Sequence, residues 1–228
     1  MAEVTPEEEV GNEVHAQLID AFGLETEAWA TERVARVMEA LNRVRLSCPE
    51  PGAAPRELVA EILWLQGMNA FTLPGHYVYL SRRLLERTGS DDSVAFALAH
   101  EAAHQDLGHV RLLTPMLSRF GKTMGTAIGA VVRLAERVVY SPEQERAADA
   151  YALDLSLAAG YRPDSGLTLF SILEQESLDL RDIEGVFGPD TPSKLWEKLR
   201  GYPSIHQRKD ELIARLRREY GLSLSNSK

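Results

Sequence analysis

Apolar residues recur three and four positions apart over residues 7–46, which is the spacing of one face of a helix. The first series is Val10, Val14, Leu18 and Phe22, and the second is Trp29, Val34, Val37, Met38, Leu41 and Val44. We therefore predict two amphipathic helices with a break near Gly23. Residues 48–52, with two prolines and a glycine, predict a turn-rich linker after them.

Short apolar runs separated by turn residues follow the linker. Residues 58–65 form a run that fits either a strand or a buried helix. Residues 69–73 and 77–80 contain aromatic and β-branched side chains and flank Pro74-Gly75, which predicts two strands around a turn. We expect a small antiparallel β-sheet in this part of the chain.

Two later segments carry clear helix starts. Ser90 and the two aspartates after it offer an N-cap oxygen and negative charge to a helix over residues 93–107. Residues 141–144, Ser-Pro-Glu-Gln, have the pattern of a capping box with proline in the first turn. The second helix is predicted to end near Ala159.

The chain of 228 residues, with 44% hydrophobic content, is suited to one compact unit. We expect an N-terminal helical segment over residues 1–50, a larger domain over residues 51–222 on which it packs, and a flexible tail over residues 223–228. Further helices are predicted over residues 167–178 and 206–220. The predicted fold class is α+β and mainly helical, in a single domain with a small antiparallel sheet.

Charge and composition exclude several classes of function. Lys and Arg total 25 against 34 Asp and Glu, and the net charge of -9 disfavours nucleic acid as a partner. The single cysteine, Cys48, forms no internal disulfide and fits a buried small hydrophobe or a thiol in a reducing compartment. The acidic N-terminus lacks the regions of a secretory signal, and the weakly polar run 123–132 is shorter than the ~20 residues of a membrane span. We expect a soluble cytoplasmic protein without stable membrane insertion, with export of a processed form left open.

Residues 100–104, His-Glu-Ala-Ala-His, form an H-E-x-x-H motif. Positions i and i+4 share one face of a helix, so the imidazoles of His100 and His104 can reach one zinc ion at ~2.0–2.1 Å. The preceding residues 94–99 are apolar, which predicts a buried helix whose polar groups must be paired or coordinated. The alternative is a core helix whose histidines bond to carbonyls while Glu101 forms a salt bridge. We favour zinc, with Glu101 as general base.

A catalytic zinc ion held by two helical histidines needs a third protein ligand. Glu145 is our candidate, because it lies on the helix starting at residue 142, where neighbouring alanines allow close approach to the first helix. Two other glutamates are rivals. Helix-dipole interaction in the first turn accounts for Glu143, and Glu136 has arginines on both sides.

Asp149 lies one turn after Glu145 and on the same helix face. A ligating histidine commonly donates its other N–H to a carboxylate, so we expect Asp149 to orient His100. The alternative is a surface carboxylate that pairs with Arg146 or Arg133.

The H-E-A-A-H motif followed by E-R-A-A-D resembles the gluzincin metallopeptidases of the HtpX and CAAX prenyl protease type. Further pieces match in order over residues 57–217. Residues 69–75 resemble the family's N-A-F-x-x-P-G segment, and His109 matches a histidine often found five residues after the second ligand. Tyr202-Pro203 with Arg208 resembles the late H-P-x-x-x-x-R segment.

The resemblance implies a zincin fold of the gluzincin type with one Zn²⁺ per chain. It implies that the metal lies on His100, His104 and Glu145, that Glu101 is the base, and that His109 is structural. Two departures stand out. The membrane-spanning helices of the family are missing, which fits a soluble minimal form, and Tyr202 replaces the late histidine.

The predicted function is that of a zinc-dependent metalloendopeptidase. An extended protein or peptide substrate would add to the strand that carries Asn69, Ala70 and Phe71, although these residues also fit a plain core strand. Three side chains are candidates for stabilising the oxyanion, because phenol, imidazolium and guanidinium all donate hydrogen bonds. They are Tyr202, His206 and Arg208, of which Arg208 has the alternative role of tying the last helix to the domain.

The sequence also fits two functions other than an enzyme. The first is a latent zinc-containing binding or regulatory module whose cleft is occupied by its own tail or by the Gly/Pro-rich loop 185–192. The second is a metal-free helical interaction protein built on the amphipathic N-terminus. Glu101 favours the enzyme over the latent module, because a purely structural zinc site needs no base and no open position.

Overall fold

Seven α-helices, a 3-10 helix and three short strands make up the part of the chain that the structure describes. The structure is a computed structural model, and it describes residues 5–47, 55–65, 67–115, 117, 140–176 and 204–222. The α-helices are α1 (Pro6–Phe22), α2 (Ala28–Ser47), α3 (Arg82–Arg87), α4 (Asp91–Asp106), α5 (Pro142–Ala158), α6 (Ser165–Glu176) and α7 (Ile205–Tyr220). The 3-10 helix is His109–Leu112, and the strands are β1 (Val59–Leu63), β2 (Ala70–Thr72) and β3 (Tyr77–Ser81). The predicted α+β, mainly helical class is confirmed.

Helix boundaries follow the capping residues. Ser141 and Gln144 form both hydrogen bonds of a capping box at the start of α5. Ser90 caps α4, which begins two residues earlier than predicted, because the two aspartates extend its first turn and interact favourably with the positive end of the helix. Gly23 ends α1 with a φ of 72°, a conformation that favours glycine.

The three strands form one mixed sheet in the order β1-β3-β2. The predicted hairpin is confirmed, with β2 antiparallel to β3 and Ala70 opposite Leu80. The apolar run at residues 58–65 forms β1, which pairs in parallel with β3. The expectation of a wholly antiparallel sheet is therefore corrected. The chain reverses direction twice between β1 and β3, so these two strands run the same way.

Alternate residues of the sheet contribute to two apolar clusters on opposite faces. Val78 and Leu80 pack into the main cluster with residues of α2, α4, α5, α6 and α7. Tyr79, between them, packs with Val14 and Leu18 of α1 in the second cluster. The sheet thus separates α4, on one face, from α1, on the other.

The N-terminal helices share these clusters with the rest of the chain. Val34, Val37 and Leu41 of α2 are buried in the main cluster, next to residues of α4. The division into an N-terminal segment and a catalytic domain stays a prediction.

A buried ion pair fixes the end of α4 against α2. Arg45 donates to both carboxylate oxygens of Asp106 at 2.6 and 2.8 Å, and the side chains are only 1% and 5% exposed. Tyr151 of α5 also donates to Asp106, at 2.6 Å. A carboxylate at a helix C-terminus is unfavourable by itself, so these donors stabilise it.

Two glycines allow elements to approach more closely than a side chain would permit. On α6, a Cβ at Gly166 would come within 2.5 Å of the Phe96 ring and 2.7 Å of Leu212. On α1, a Cβ at Gly11 would lie 2.1 Å from the carbonyl oxygen of Pro74. Helix α1 therefore meets the turn of the hairpin backbone to backbone.

None of the described helices is long and apolar enough to cross a bilayer. Several sequence predictions lie outside the described residues. They are the linker at 48–52, Cys48, the run 123–132, the loop 185–192, Tyr202 and the tail 223–228.

We predict that Gly11→Ala lowers the free energy of unfolding by about 1–3 kcal/mol, because the new methyl group meets backbone that cannot rotate away. Urea unfolding of the variant and the parent protein measures the difference. Gly89→Ala is the matched control, since a Cβ at Gly89 meets nothing within 4 Å. Equal urea midpoints for the two variants would refute the close approach of α1 to the hairpin.

Candidate metal centre

Helix α4 carries the H-E-x-x-H residues through the centre of the molecule. Its residues 93–99 are all buried, and so are Ala102 and Ala103 between the two histidines. The facing helix α5 contributes Ala148 and Ala152, which are completely buried. Small side chains on both helices allow their backbones to approach, and this approach brings Glu145 to the histidines.

The side chains of His100, His104 and Glu145 converge on one point. Their potential ligand atoms all lie within 4.8 Å of one another. The Nε2 atoms of the histidines are 3.1 Å apart, and the Glu145 oxygens lie 3.4 Å from His100 Nε2 and 3.6 Å from His104 Nε2. Tetrahedral ligands about 2.0–2.1 Å from a zinc ion are about 3.3–3.4 Å apart. The observed separations of 3.1–3.6 Å are near this value, so the three side chains are close enough to hold one metal ion.

The other nitrogen of each histidine has its own partner. His100 Nδ1 lies 3.0 Å from Asp149 Oδ1, and because a carboxylate only accepts, Nδ1 carries the proton. His104 Nδ1 lies 2.9 Å from His109 Nδ1. When His104 Nε2 binds a cation, its proton resides on Nδ1 and His109 accepts it. The Nε2 atoms of both histidines would then be left to bind a cation together with the Glu145 carboxylate.

The buried carboxylates of the cluster also need positive charge nearby. Burial alone would raise the pKa of Glu145, but His100 and Arg208 outweigh it and hold that pKa far below its usual range. Burial would lower the pKa of His100, yet the carboxylates of Asp149 and Glu145 raise it to about 10. In the metal-free protein a proton on His100 thus supplies positive charge that a metal ion would otherwise provide.

Arg208 of α7 clamps both carboxylates of α5. Its Nε and Nη2 atoms donate to the two oxygens of Asp149 at 2.8 and 2.6 Å, and Nη1 lies 3.1 Å from Glu145 Oε2. The guanidinium also lies over the Phe170 ring, 5.0 Å from its centre. These contacts fit the predicted alternative in which Arg208 ties the last helix to the domain.

Arg146, one of the arginines considered as a partner of Asp149, contacts other acids. It pairs with Glu143 at 3.5 Å and with Glu211 at 3.1 Å. The arginine that contacts Asp149 is Arg208, which packing of α7 against α5 brings there from 59 residues away. Arg133, the other arginine of that alternative, lies outside the described residues.

Glu101 lies buried between the two histidines, with 7% of the residue exposed. Burial disfavours its charged form and raises its pKa to about 7, although the charge of His100 and a hydrogen bond from the Thr72 backbone oppose the shift. A carboxylate with this pKa gains and loses a proton near neutral pH.

Strand β2 lies next to Glu101 and is tied to α4. Gln105 donates from Nε2 to Thr72 Oγ1 at 2.6 Å and to the Leu73 carbonyl at 2.7 Å. Sequence reasoning missed this contact, although Gln105 directly follows the second histidine. The residue holds the end of the strand beside the metal ligands.

The register of the hairpin decides which backbone groups of β2 face outward. The Asn69 carbonyl accepts from the Ser81 N–H at 2.8 Å, toward β3. Because hydrogen-bonded pairs alternate in antiparallel strands, Phe71 also directs its backbone groups to β3, whereas Ala70 and Thr72 direct theirs away. Within the described ranges no strand pairs with this outer edge.

Tyr140 packs against the second histidine. Its ring stacks on the His104 imidazole, with centroids 3.7 Å apart and planes 12° apart. Tyr140 directly precedes Ser141, the N-cap of α5, and an aromatic residue before an N-cap is the sequence signal that could have drawn attention to it. Sequence reasoning did not select this residue.

The structure does not bring all the predicted site residues together. The His206 side chain is 80% exposed and its Nδ1 lies 2.6 Å from Glu174, away from the ligands. The rival ligand Glu143 is 76% exposed. Glu136 and Tyr202 lie outside the described residues.

The sequence model of peptidase family M48 matches residues 28–216 of the chain. The matched span begins with α2 and includes the convergent cluster of His100, His104 and Glu145. Helix α1 lies outside it. No curated protein matches the chain.

We predict that Glu101→Gln stabilises the metal-free protein at pH 8 by on the order of 3 kcal/mol, and by much less at pH 5. The folded-state pKa of Glu101 is raised from 4.5 to about 7, so folding opposes ionisation, and stability decreases as pH rises through this window. Glutamine carries no charge and removes that penalty. Urea unfolding of chelator-treated protein at both pH values measures the effect. Glu13→Gln, at an exposed position, is the control, and an equal gain from Glu101→Gln at both pH values would contradict the raised pKa.

Proposed function

The chain belongs to peptidase family M48, and from that premise we propose that this metallopeptidase is a zinc-dependent endopeptidase of the gluzincin type. The observation that carries the proposal is the buried convergence of His100, His104 and Glu145. The H-E-A-A-H and E-R-A-A-D motifs support the likeness to the HtpX and CAAX prenyl protease type.

The proposed metal is one Zn²⁺ per chain on these three side chains. Two imidazole nitrogens and one carboxylate are a common donor set for catalytic zinc, and the three side chains lie close enough to hold one ion. Asp149 and His109 would hold the two imidazoles in the ligating orientation. A zinc ion bound there would lower the pKa of water and polarise the scissile carbonyl.

Glu101 is the proposed general base. It would take a proton from the attacking water and deliver it to the nitrogen of the leaving amine as the peptide bond breaks. Its pKa of about 7 suits a group that must both accept and release a proton near neutral pH. The hydrogen bond from the Thr72 backbone supports this role, because it orients the carboxylate.

An extended peptide is the proposed substrate, paired with the outer edge of β2. The register directs the N–H and carbonyl of Ala70 to that edge. Gln105 ties β2 to α4, so a peptide added there would run beside Glu101 and the metal ligands. Main-chain hydrogen bonds would then align substrates of different sequence.

We predict that Glu101→Gln retains about one zinc ion per chain and lowers peptide hydrolysis by roughly 10²–10⁴-fold, since glutamine cannot accept the proton. Glu145→Ala should lose zinc and activity together, because two histidines remain as ligands. Elemental analysis after chelator challenge and hydrolysis of a quenched fluorescent peptide measure both effects.

Glu143→Ala is the matched control, since its exposed side chain lies outside the cluster. Loss of zinc from Glu101→Gln, or full zinc occupancy in Glu145→Ala, would contradict the assignment of base and ligand. A parent protein that binds zinc but cleaves none of a diverse peptide library would instead favour the latent zinc-containing module.

We predict that Ala70→Pro lowers kcat/KM for peptides by at least about tenfold while zinc content stays unchanged. The N–H of residue 70 points away from β3. Proline therefore removes a hydrogen-bond donor for the substrate without removing a hydrogen bond between β2 and β3. Ala70→Gly, which keeps the N–H, is the control and should stay within about threefold of the parent. Equal kcat/KM for the proline and glycine variants would exclude strand addition at Ala70.

A further inference from the structure

The phenol of Tyr140 is buried beside a proposed metal ligand. Only 7% of the residue is exposed, and its hydroxyl has no hydrogen-bond partner among the described residues. Most buried hydroxyls in proteins are paired, because an unpaired one loses its bonds to water. The Tyr140 hydroxyl is thus a buried hydrogen-bond donor without an acceptor in the described structure.

The ring of Tyr140 lies at the proposed active site. Tyr140 stacks face to face on His104, whose Nε2 faces His100 and Glu145. Burial, and after it the negative charges of Glu101 and Glu145, raise the pKa of the phenol above its usual value. The phenol thus lies directly beside a proposed metal ligand.

A hydrogen-bond donor would assist the proposed zinc ion in peptide hydrolysis, and the described candidates do not supply one. Negative charge develops on the carbonyl oxygen as water adds to the carbon, and a fixed donor stabilises it. His206 is exposed and bonded to Glu174, and Arg208 holds Asp149 and Glu145. A phenol carries its proton at neutral pH and is a suitable donor.

We infer that the Tyr140 hydroxyl donates a hydrogen bond to the carbonyl oxygen of the scissile peptide as that oxygen gains negative charge. The phenol keeps its proton throughout, while Glu101 moves the proton of the attacking water to the leaving nitrogen. The inference rests on the proposed peptidase function and adds a catalytic residue to it. The ring of Tyr140 has the separate task of packing against His104.

The test is Tyr140→Phe, which keeps the stacked ring and removes only the hydroxyl. We expect kcat to decrease about 10²–10³-fold with KM changed less than about threefold, as for loss of one oxyanion donor. Zinc content should stay at one per chain. The thermal midpoint of the metal-free protein should stay equal or increase, because the variant removes an unpaired buried hydroxyl.

Calorimetry supplies a readout that is independent of turnover. A phosphinic peptide, whose tetrahedral centre carries negatively charged oxygens, should bind the zinc-loaded Tyr140→Phe protein about 10²–10³-fold more weakly than the parent. The matching substrate peptide should bind equally well to Glu101→Gln and to the double variant Glu101→Gln, Tyr140→Phe. A selective loss of phosphinic-peptide affinity would distinguish an oxyanion donor from a residue that only shapes the pocket.

Two further variants separate the hydroxyl from general effects. Tyr220→Phe removes a phenol that donates to Asp154 on the exposed surface and should leave kcat unchanged. Tyr140→Leu also removes the stacked ring and should lower zinc affinity. Parental kcat and phosphinic-peptide affinity in Tyr140→Phe, or a lower midpoint of its metal-free form, would overturn the inference alone. A parent protein without zinc or hydrolysis would overturn the proposed function as well.

Discussion

Buried negative charge at the junction of three helices is the constraint on which this structure depends. Glu145 and Asp149 lie inside the protein on α5, and their charges are balanced by His100 from α4 and Arg208 from α7. Removing one partner of a buried ion pair typically costs about 3–5 kcal/mol, because the other charge is left uncompensated. The three helices must therefore pack so that these groups meet, and the same contacts hold the fold and shape the site.

Helix α4 contributes His100 to this charge balance, and it also contains the proposed base and two of the proposed metal ligands. Alanines on α4 and α5 let the helix backbones approach, and Arg45 secures the far end of α4 at Asp106. The burial that results raises the pKa of Glu101 to about 7. Stability and reactivity are thus opposed at Glu101: burial that is unfavourable for a carboxylate is what suits it to proton transfer.

One turn of α4 connects the ligands to the substrate edge. His104 is a proposed ligand, and the next residue, Gln105, bonds to the end of β2. The backbone of Thr72, in the same strand, also bonds to Glu101. These bonds therefore hold the proposed base and the proposed substrate edge at fixed positions relative to each other.

The sequence by itself determined the helix starts and the spacing of the site residues on each helix. Capping bonds at Ser90 and Ser141 join residues three apart, and the i, i+4 geometry of His100 and His104 is a property of any helix. Such interactions join residues that are close in sequence, so the residue pattern is enough to predict them. The hairpin was predicted for the same reason, since a turn connects its strands directly.

Only the tertiary structure decided which distant groups meet. The parallel pairing of β1 with β3, the choice of Arg208 for Asp149, the exposure of His206 and the stacking of Tyr140 on His104 all depend on packing between separate elements. Several arginines could have paired with Asp149 as far as charge alone is concerned. Helix packing selects one of them, because the favourable interaction of buried charges requires contact, and contact depends on the whole fold.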